Sequence, residues 1–231
     1  MNSTTIKDFI EKSRKNQTEL TADLKAFHCP DISREDYLLM LTAKAGELLY
    51  KRGVQREFII DGFNLPVIHQ FYYYLTSDRT LCKLDIDKGI YLMGKVGCGK
   101  SLLMSAHLFV QDALTNKVTT VIHAKELGNE IIKQGFSMLK NKPLFIDEIG
   151  RENLEVMNYG TTIKPVADLL ALRYESGGRT YGTSNYTLEK LEALRDEEGN
   201  VKEMRYGRFI RSRMEEMFNI VELPGEDRRY K

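Results

Sequence analysis

The octapeptide GKVGCGKS, residues 94–101, is the most informative feature of this 231-residue chain. It matches the pattern G-x-x-x-x-G-K-[ST], follows the apolar residues 90–93 and precedes a segment with apolar residues at helical spacing. A strand, a glycine-rich turn and a helix in this order form a phosphate-binding loop, because backbone N–H groups of the turn surround the phosphate beside the positive end of the helix. The sequence therefore predicts a site for a nucleoside triphosphate.

The side chains of this loop have distinct predicted roles. Lys100 is expected to reach the β- and γ-phosphates, and the hydroxyl of Ser101 is the expected Mg²⁺ ligand. The other predicted nucleotide contacts lie around the loop backbone: Gly94, Val96, Gly97, Cys98, Gly99 and Leu102. A chance match in a glycine-rich turn is the alternative, and the flanking strand and helix argue against it.

Two adjacent carboxylates end the next apolar strand, predicted at 143–147. In phosphate-loop proteins the acid at this place holds Mg²⁺ directly or through water, and Asp147 takes that role. A carboxylate beside the metal site can polarise a water for attack on the γ-phosphate, which makes Glu148 the candidate general base. An acid pair that merely ends a strand is the alternative, and the phosphate loop upstream favours the functional interpretation.

A later strand, predicted at 180–184, leads into Asn185. Neighbouring parallel strands deliver their ends to the same edge of a sheet, so Asn185 is expected between the phosphate loop and Asp147. Its amide could orient the attacking water or sense the γ-phosphate. Asparagine is also a common turn residue, which is the alternative for this position.

A basic segment near the end of the chain supplies three candidate catalytic arginines, Arg208, Arg211 and Arg213. The sequence predicts a helix over 203–217 that carries them. Any of them could reach a phosphate bound to a neighbouring subunit and stabilise the transition state, as an arginine finger does. A solvated basic helix or a nucleic-acid contact is the alternative for each.

The pattern of elements indicates the fold class. Strands and helices alternate from about residue 85, with strands predicted at 90–93, 118–123, 143–147, 180–184 and 218–223, and helices at 99–113, 124–136, 164–177, 187–195 and 203–217. Such alternation predicts an α/β fold with a parallel sheet covered by helices. The preceding region, 1–84, is expected to be mainly helical, with helices at 34–52 and 66–77.

Composition and charge limit the classes of function. A net charge of +1 gives no global attraction to a polyanion, so nucleic-acid contacts must come from local patches. Three cysteines, an odd number without metal-ligand spacing, indicate free thiols in a reducing cytoplasm. There is no secretory signal pattern and no apolar run long enough to cross a bilayer, so a cytoplasmic protein without a membrane partner is expected.

These motifs together resemble the DnaC/IstB-type ATPases of the AAA+ superfamily, which include bacterial and phage helicase loaders. The resemblance covers roughly residues 85–229 and is carried by segments 88–101, 144–150, 168–175, 183–185 and 207–214. It implies a P-loop AAA+ core over 85–231, ATP and Mg²⁺ bound between adjacent subunits, a homo-oligomer that forms on ATP binding, and Asn185 in the place of sensor 1.

The chain also departs from the family pattern. Cys98 and Ser101 stand where members usually carry a small residue and threonine, and serine keeps the hydroxyl. Phe209 stands where the first of two finger arginines usually lies, while Arg213 matches the second. Arg208 or Arg211 is a possible substitute. The end of the chain, 225–229, could supply a sensor-2-like arginine.

The resemblance implies an ATP-hydrolysing DNA replication protein of helicase-loader type, acting on a replicative helicase and single-stranded DNA. The ATPase partner of a transposase is a close alternative, because the two differ in the protein bound by region 1–84. A small-metabolite kinase with a phosphate loop is a third hypothesis, and Glu148 beside Asp147 argues against it because this pair suits attack by water. A fourth hypothesis is a nucleotide-gated binding module that hydrolyses little ATP. An intact Lys100 argues against a complete loss of ATPase activity.

Overall fold

A computed structural model describes residues 10–15 and 26–230, with the backbone alone for Tyr230. Five parallel strands form the central sheet: β1 Gly89–Met93, β2 Thr120–His123, β3 Leu144–Ile149, β6 Thr180–Ser184 and β9 Phe218–Glu222. Their spatial order is β2-β3-β6-β1-β9. Strand β1 is therefore paired on one side with β6 and on the other with β9, and the carboxyl ends of all five strands meet at one edge.

Seven α-helices with described bounds connect and cover the strands: α1 Arg34–Lys51, α2 Leu65–Leu75, α3 Lys100–Thr115, α4 Ala124–Gln134, α5 Pro165–Ser176, α6 Leu188–Glu192 and α7 Gly207–Met217. The described residues 10–15 are helical as well. Short 3₁₀ turns occur at Phe136–Leu139 and Arg228–Tyr230. Two small antiparallel hairpins project from this frame: β4 Val156–Asn158 with β5 Thr161–Ile163, and β7 Ala193–Arg195 with β8 Val201–Met204. The predicted α/β class with a helical N-terminal region is confirmed.

Two hydrophobic clusters lie on the two faces of the sheet. In β1 the side chains alternate between them, with Ile90 and Leu92 on the side of α1, α2 and α3, and Tyr91 on the side of α4 to α7. A strand buried on both faces needs a continuous apolar run, which explains the composition of this segment.

Helices α1 and α2 share their cluster with α3, the helix that follows the phosphate loop. The Tyr37 hydroxyl lies 3.0 Å from Nδ1 of His107, so α1 also contacts α3 through a buried polar pair. The division of the chain into domains at 1–84 and 85–231 stays a prediction.

The structure corrects two predicted helices. The helix predicted at 187–195 ends at Glu192, and the helix predicted at 203–217 begins at Gly207. The residues between them form the β7–β8 hairpin, whose turn is stabilised by the Asp196 carboxylate accepting from the N–H of Glu198 and of Asn200. Strands of three or four residues are too short for a recognisable alternation, and pairing within the hairpin overrides their weak local preference.

Over the described part of the chain, no helix combines the length and apolar character needed to cross a membrane.

Candidate nucleotide-binding site

The phosphate loop connects β1 to α3. Gly99 caps α3 with a left-handed φ of 102°, a conformation that glycine adopts without strain. The Lys100 ammonium donates to the carbonyl oxygens of Gly94 at 2.9 Å and Lys95 at 2.7 Å. Burial lowers the pKa of Lys100 from its ordinary value. The loop thus holds a cation beside the first turn of a helix, which is an arrangement suited to a polyphosphate.

Ser101 and Asp147 meet at the edge of the sheet. The Ser101 hydroxyl donates to Oδ1 of Asp147 at 2.6 Å, and the Thr183 hydroxyl donates to the same oxygen. Thr183 also accepts from the backbone N–H of Glu148 at 3.0 Å. Sequence reasoning assigned no role to Thr183, because only the β3–β6 pairing brings its side chain against the carboxylates.

Glu148 lies in a β-bulge. Between Ile146 and Ile149 the β3–β6 register shifts, because three steps along β3 pair with two steps along β6. The extra residue bends the strand, and Glu148 itself has a left-handed φ of 60°. This backbone conformation is costly for a residue with a side chain and is found mainly at functional sites. The bulge turns the Glu148 side chain toward the cavity described below.

Two basic side chains contact a single oxygen of Glu148. Nε2 of His123 lies 3.1 Å and a terminal nitrogen of Arg151 lies 3.0 Å from Oε2. Among the described residues, Oε1 makes no hydrogen bond with protein. His123 ends β2 beside β3, so its place could have been inferred from the parallel strands, although its contact with Glu148 could not.

A cavity of about 280 Å³ opens between the loop and two distant parts of the chain. The predicted residues that line it are Val96, Gly97, Cys98, Gly99, Lys100, Ser101, Leu102, Glu148 and Asn185. The predicted contact Gly94 lies next to them and holds Lys100, and Asp147 lies behind Ser101. The structure therefore brings together most of the site residues that the sequence singled out.

The other wall of the cavity comes from the segment after α1 and from the chain end. Its apolar members include Phe58, Ile59 and Leu223, and its charged members include Arg52, Arg56 and Arg228. Arg228 pairs with Asp61 at 2.9 Å, and its backbone N–H donates to the Gly97 carbonyl at 3.0 Å. Arg228 was only weakly indicated by its sequence context, and Phe58 and Ile59 were not indicated as site residues, because all three are far from the motif along the chain.

The three candidate arginines lie away from this cavity. Arg211 is held by carboxylates of its own chain, those of Glu189, Glu192 and Glu215, all within about 3 Å. Arg213 pairs with Glu175 at 3.2 Å and lies over the Phe209 ring at 4.0 Å. Arg208 is exposed and makes no ion pair with any described residue. Of the three, Arg208 is the one whose side chain remains available to another molecule.

Comparison with solved structures shows similarity to replication proteins. DnaI has a TM-score of 0.51 at 18% identity, covering 86% of this chain and 95% of that chain. A candidate primosome component from Streptococcus pyogenes serotype M3 has a TM-score of 0.51 at 25% identity, covering 74% and 86%. The DnaC helicase loader has a TM-score of 0.51 at 16% identity, covering 72% and 93%.

These similarities extend over most of the chain and confirm the resemblance at the level of the fold, which is that of AAA+ ATPases. No protein-family model and no curated relative matches the sequence.

Proposed function

We propose that this chain, which has the AAA+ fold of the helicase loaders described above, is a Mg²⁺-dependent ATPase of helicase-loader type. It would hydrolyse ATP at an interface between subunits to act on a replicative helicase and single-stranded DNA. The observation that carries the ATPase proposal is the convergence of Lys100, Ser101, Glu148 and Asn185 on one cavity, with Asp147 directly behind Ser101.

The cavity suits a nucleotide in both charge and shape. Lys100 and the N–H groups of the loop would hold the phosphates, and the apolar wall around Phe58 and Ile59 would cover the base. Arg228, already placed over Gly97, would approach the phosphates from the other side. Chain segments on both sides of the loop therefore complete the site and would shield the bound phosphates from bulk solvent.

Ser101 and Asp147 have the chemistry that Mg²⁺ prefers, which is a hydroxyl and a carboxylate oxygen close together. Among the described residues no group of three or more His, Cys, Asp or Glu side chains could hold a metal ion. This agrees with Mg²⁺, which is commonly bound by one or two protein oxygens together with phosphate and water. When bound, the ion would neutralise charge on the phosphates.

Glu148 and Asn185 would direct the water. The free Oε1 of Glu148 can accept a proton from a water molecule while the oxygen of that water forms a bond to the γ-phosphorus. The bond from that phosphorus to the bridging oxygen breaks, and ADP leaves with the electron pair, so the products are ADP and inorganic phosphate. The Asn185 amide, which lines the same cavity, would orient the water or the γ-phosphate.

The interface proposal rests on Arg208. It is exposed and unpaired within the described residues, whereas Arg211 and Arg213 are engaged in ion pairs of their own chain. In a ring or filament, Arg208 of one subunit could stabilise the transition-state charge at the site of its neighbour. Mixing Arg208→Ala with Lys100→Ala tests this directly, because each protein then supplies what the other lacks. Absence of any recovered turnover would count against a shared site at Arg208.

The partner proposal is supported by the proteins that share the fold, among them a DnaC helicase loader. A transposase partner would use the same ATPase site and differ only in the protein bound by region 1–84. Binding of single-stranded DNA is expected to weaken steeply as salt rises, because released counterions drive it. Lack of binding at low salt, with and without ATP, would remove the DNA part of the proposal.

The central experiment measures ATP turnover and oligomer mass on one sample, with and without single-stranded DNA. Glu148→Gln should bind ATP, assemble and hydrolyse at least about a hundredfold more slowly, because the amide cannot accept the proton. Glu126 is an exposed glutamate on α4, and Glu126→Gln is the matched control, which should behave as wild type. Wild-type turnover in Glu148→Gln would remove Glu148 as the base.

A further inference from the structure

A buried polar cluster lies directly behind the bulge that carries Glu148. It consists of Gly150, Glu152, Arg205 and Tyr206, and the last three side chains are each less than a tenth exposed. None of them lines the cavity, and they play no part in the hydrolytic step described above. Buried charged groups are costly unless they are well paired, so their arrangement needs an explanation.

The cluster holds the backbone of Gly150 on both sides of its Cα, through the N–H and through the carbonyl. The Gly150 N–H donates to Oε2 of Glu152 at 2.8 Å, and the Gly150 carbonyl accepts from Arg205 at 2.6 Å. The second oxygen of Glu152 accepts from the Tyr206 hydroxyl. Burial, together with the charge of Glu152, raises the pKa of Tyr206 well above its usual value, so the hydroxyl keeps its proton.

Gly150 is closely packed within this clamp, in a conformation and a space that favour glycine. Its φ is +93°, and a Cβ at this position would lie 2.7 Å from the Tyr186 ring and 2.8 Å from Leu191. Gly150 is two residues beyond Glu148, and Ser184 holds the intervening Ile149 carbonyl at 2.6 Å. The carboxyl side of the bulge is therefore anchored at the consecutive residues Ile149 and Gly150.

The same clamp reaches α7. Arg205 and Tyr206 immediately precede Gly207, the first residue of that helix, and they are tied to α6 because their N–H groups donate to the carbonyls of Glu192 and Leu191. Helix α7 carries the exposed Arg208. A displacement of α7 against α6 would therefore strain the two residues that contact Gly150 and Glu152, because they are bonded to α6 and continuous with α7.

We propose that Glu152, Arg205 and Tyr206 are positioning residues for the general base Glu148, and that they couple its orientation to the position of α7. This inference rests on the proposed ATPase function and adds residues that do not touch the nucleotide. It assigns to Tyr206 an effect on the rate of hydrolysis and none on nucleotide affinity.

The test is a double-mutant cycle between Tyr206→Phe and Glu148→Gln. Tyr206→Phe removes the hydroxyl that donates to the buried carboxylate of Glu152. Turnover at saturating ATP is expected to fall about tenfold, with KM and the affinity for a non-hydrolysable ATP analogue within about twofold of wild type. In the Glu148→Gln background, the same substitution should cause no further fall, because the residue on which it acts has been replaced.

Tyr174→Phe is the matched control. It removes a tyrosine hydroxyl that donates to Glu216 of α7 at 2.6 Å, on a part of the helix without contact to Gly150. Turnover in this variant is expected to equal that of wild type. Should Tyr206→Phe be recovered unfolded, Glu152→Gln replaces it in the cycle, with an expected fall of about threefold because a neutral oxygen still accepts from Gly150.

The outcomes separate the two proposals. An equal fall in both backgrounds, a change in KM, or turnover within twofold of wild type for the folded variant would overturn the positioning role. A slow Glu148→Gln beside a fully active Tyr206→Phe overturns this inference alone. Wild-type turnover in Glu148→Gln itself would overturn the proposed function and this inference with it.

Discussion

His107 provides a quantitative test of the packing between α1 and α3. The side chain is completely buried, and its Nδ1 lies 3.0 Å from the Tyr37 hydroxyl. Its ring is tilted against that of Phe71, with ring centroids 4.6 Å apart. Its Nε2 has no hydrogen-bond partner among the described residues. Burial lowers the pKa of His107 to about 3, because the charged imidazolium would lose its hydration without gaining a carboxylate partner.

The sign of the pH dependence follows from this pKa. The unfolded chain takes up a proton on His107 with a pKa of about 6.5, whereas the folded chain remains neutral until about pH 3. The contribution to stability is therefore complete above the unfolded pKa and is lost as pH falls from about 6.5 toward 3. At pH 5 the loss is about 1.5 pH units multiplied by 1.36 kcal/mol, or about 2 kcal/mol. This value is insensitive to the folded pKa as long as that pKa lies well below 5.

The measurement is urea unfolding at pH 8 and pH 5, followed by circular dichroism because the chain contains no tryptophan. Between the two pH values, wild type should lose about 2 kcal/mol more unfolding free energy than His107→Gln, which cannot titrate. Other titrating groups contribute to both proteins and cancel in the difference. A single transition is also expected, because α1 and α3 belong to one hydrophobic cluster.

Tyr37→Phe is the control for this comparison. It removes the hydroxyl partner of His107 and lowers stability at both pH values, but it leaves the imidazole buried, so the pH dependence should remain that of wild type. If wild type and His107→Gln lost the same free energy to within about 0.5 kcal/mol, the reasoning from burial would be refuted.

Three further predictions concern the fold and the site. Arg173 is fully buried and donates to four backbone carbonyls and one hydroxyl. Arg173→Lys should therefore lower the unfolding free energy by about 3 kcal/mol, because an ammonium cannot reach all of these acceptors. A loss below about 1 kcal/mol would contradict this account. Ser101→Ala should weaken ATP binding about tenfold in Mg²⁺ and hardly at all in a chelator, and equal weakening in both would argue against a metal ligand. When the folded protein is titrated with a thiol reagent without denaturant, Cys29 and Cys82 should react before Cys98, which is 1% exposed. Simultaneous reaction of all three would contradict the described loop.

Much of the candidate site could be predicted because its signals are local. The phosphate loop needs glycines, a lysine and a hydroxyl within eight consecutive residues, and the flanking strand and helix are visible as apolar patterns next to it. Asp147, Glu148 and Asn185 could be placed because parallel strands end at a common edge, so position along the chain indicates position in space. The fold class could be predicted for the same reason, since the alternation of strands and helices is a property of neighbouring residues.

The remaining features depend on contacts between residues far apart along the chain. Asp61 and Arg228 are separated by 167 positions, and no local pattern pairs them or brings the backbone N–H of Arg228 to Gly97. The bulge at Glu148 arises from the register between β3 and β6, and the ion pairs of Arg211 depend on how α6 packs against α7. Periodicity and residue chemistry report what each segment prefers, whereas register, helix packing and side-chain pairing are settled by competition among all segments as they pack. The linear sequence therefore determined the kind of chemistry, and only the packing of the whole chain determined how its groups are positioned.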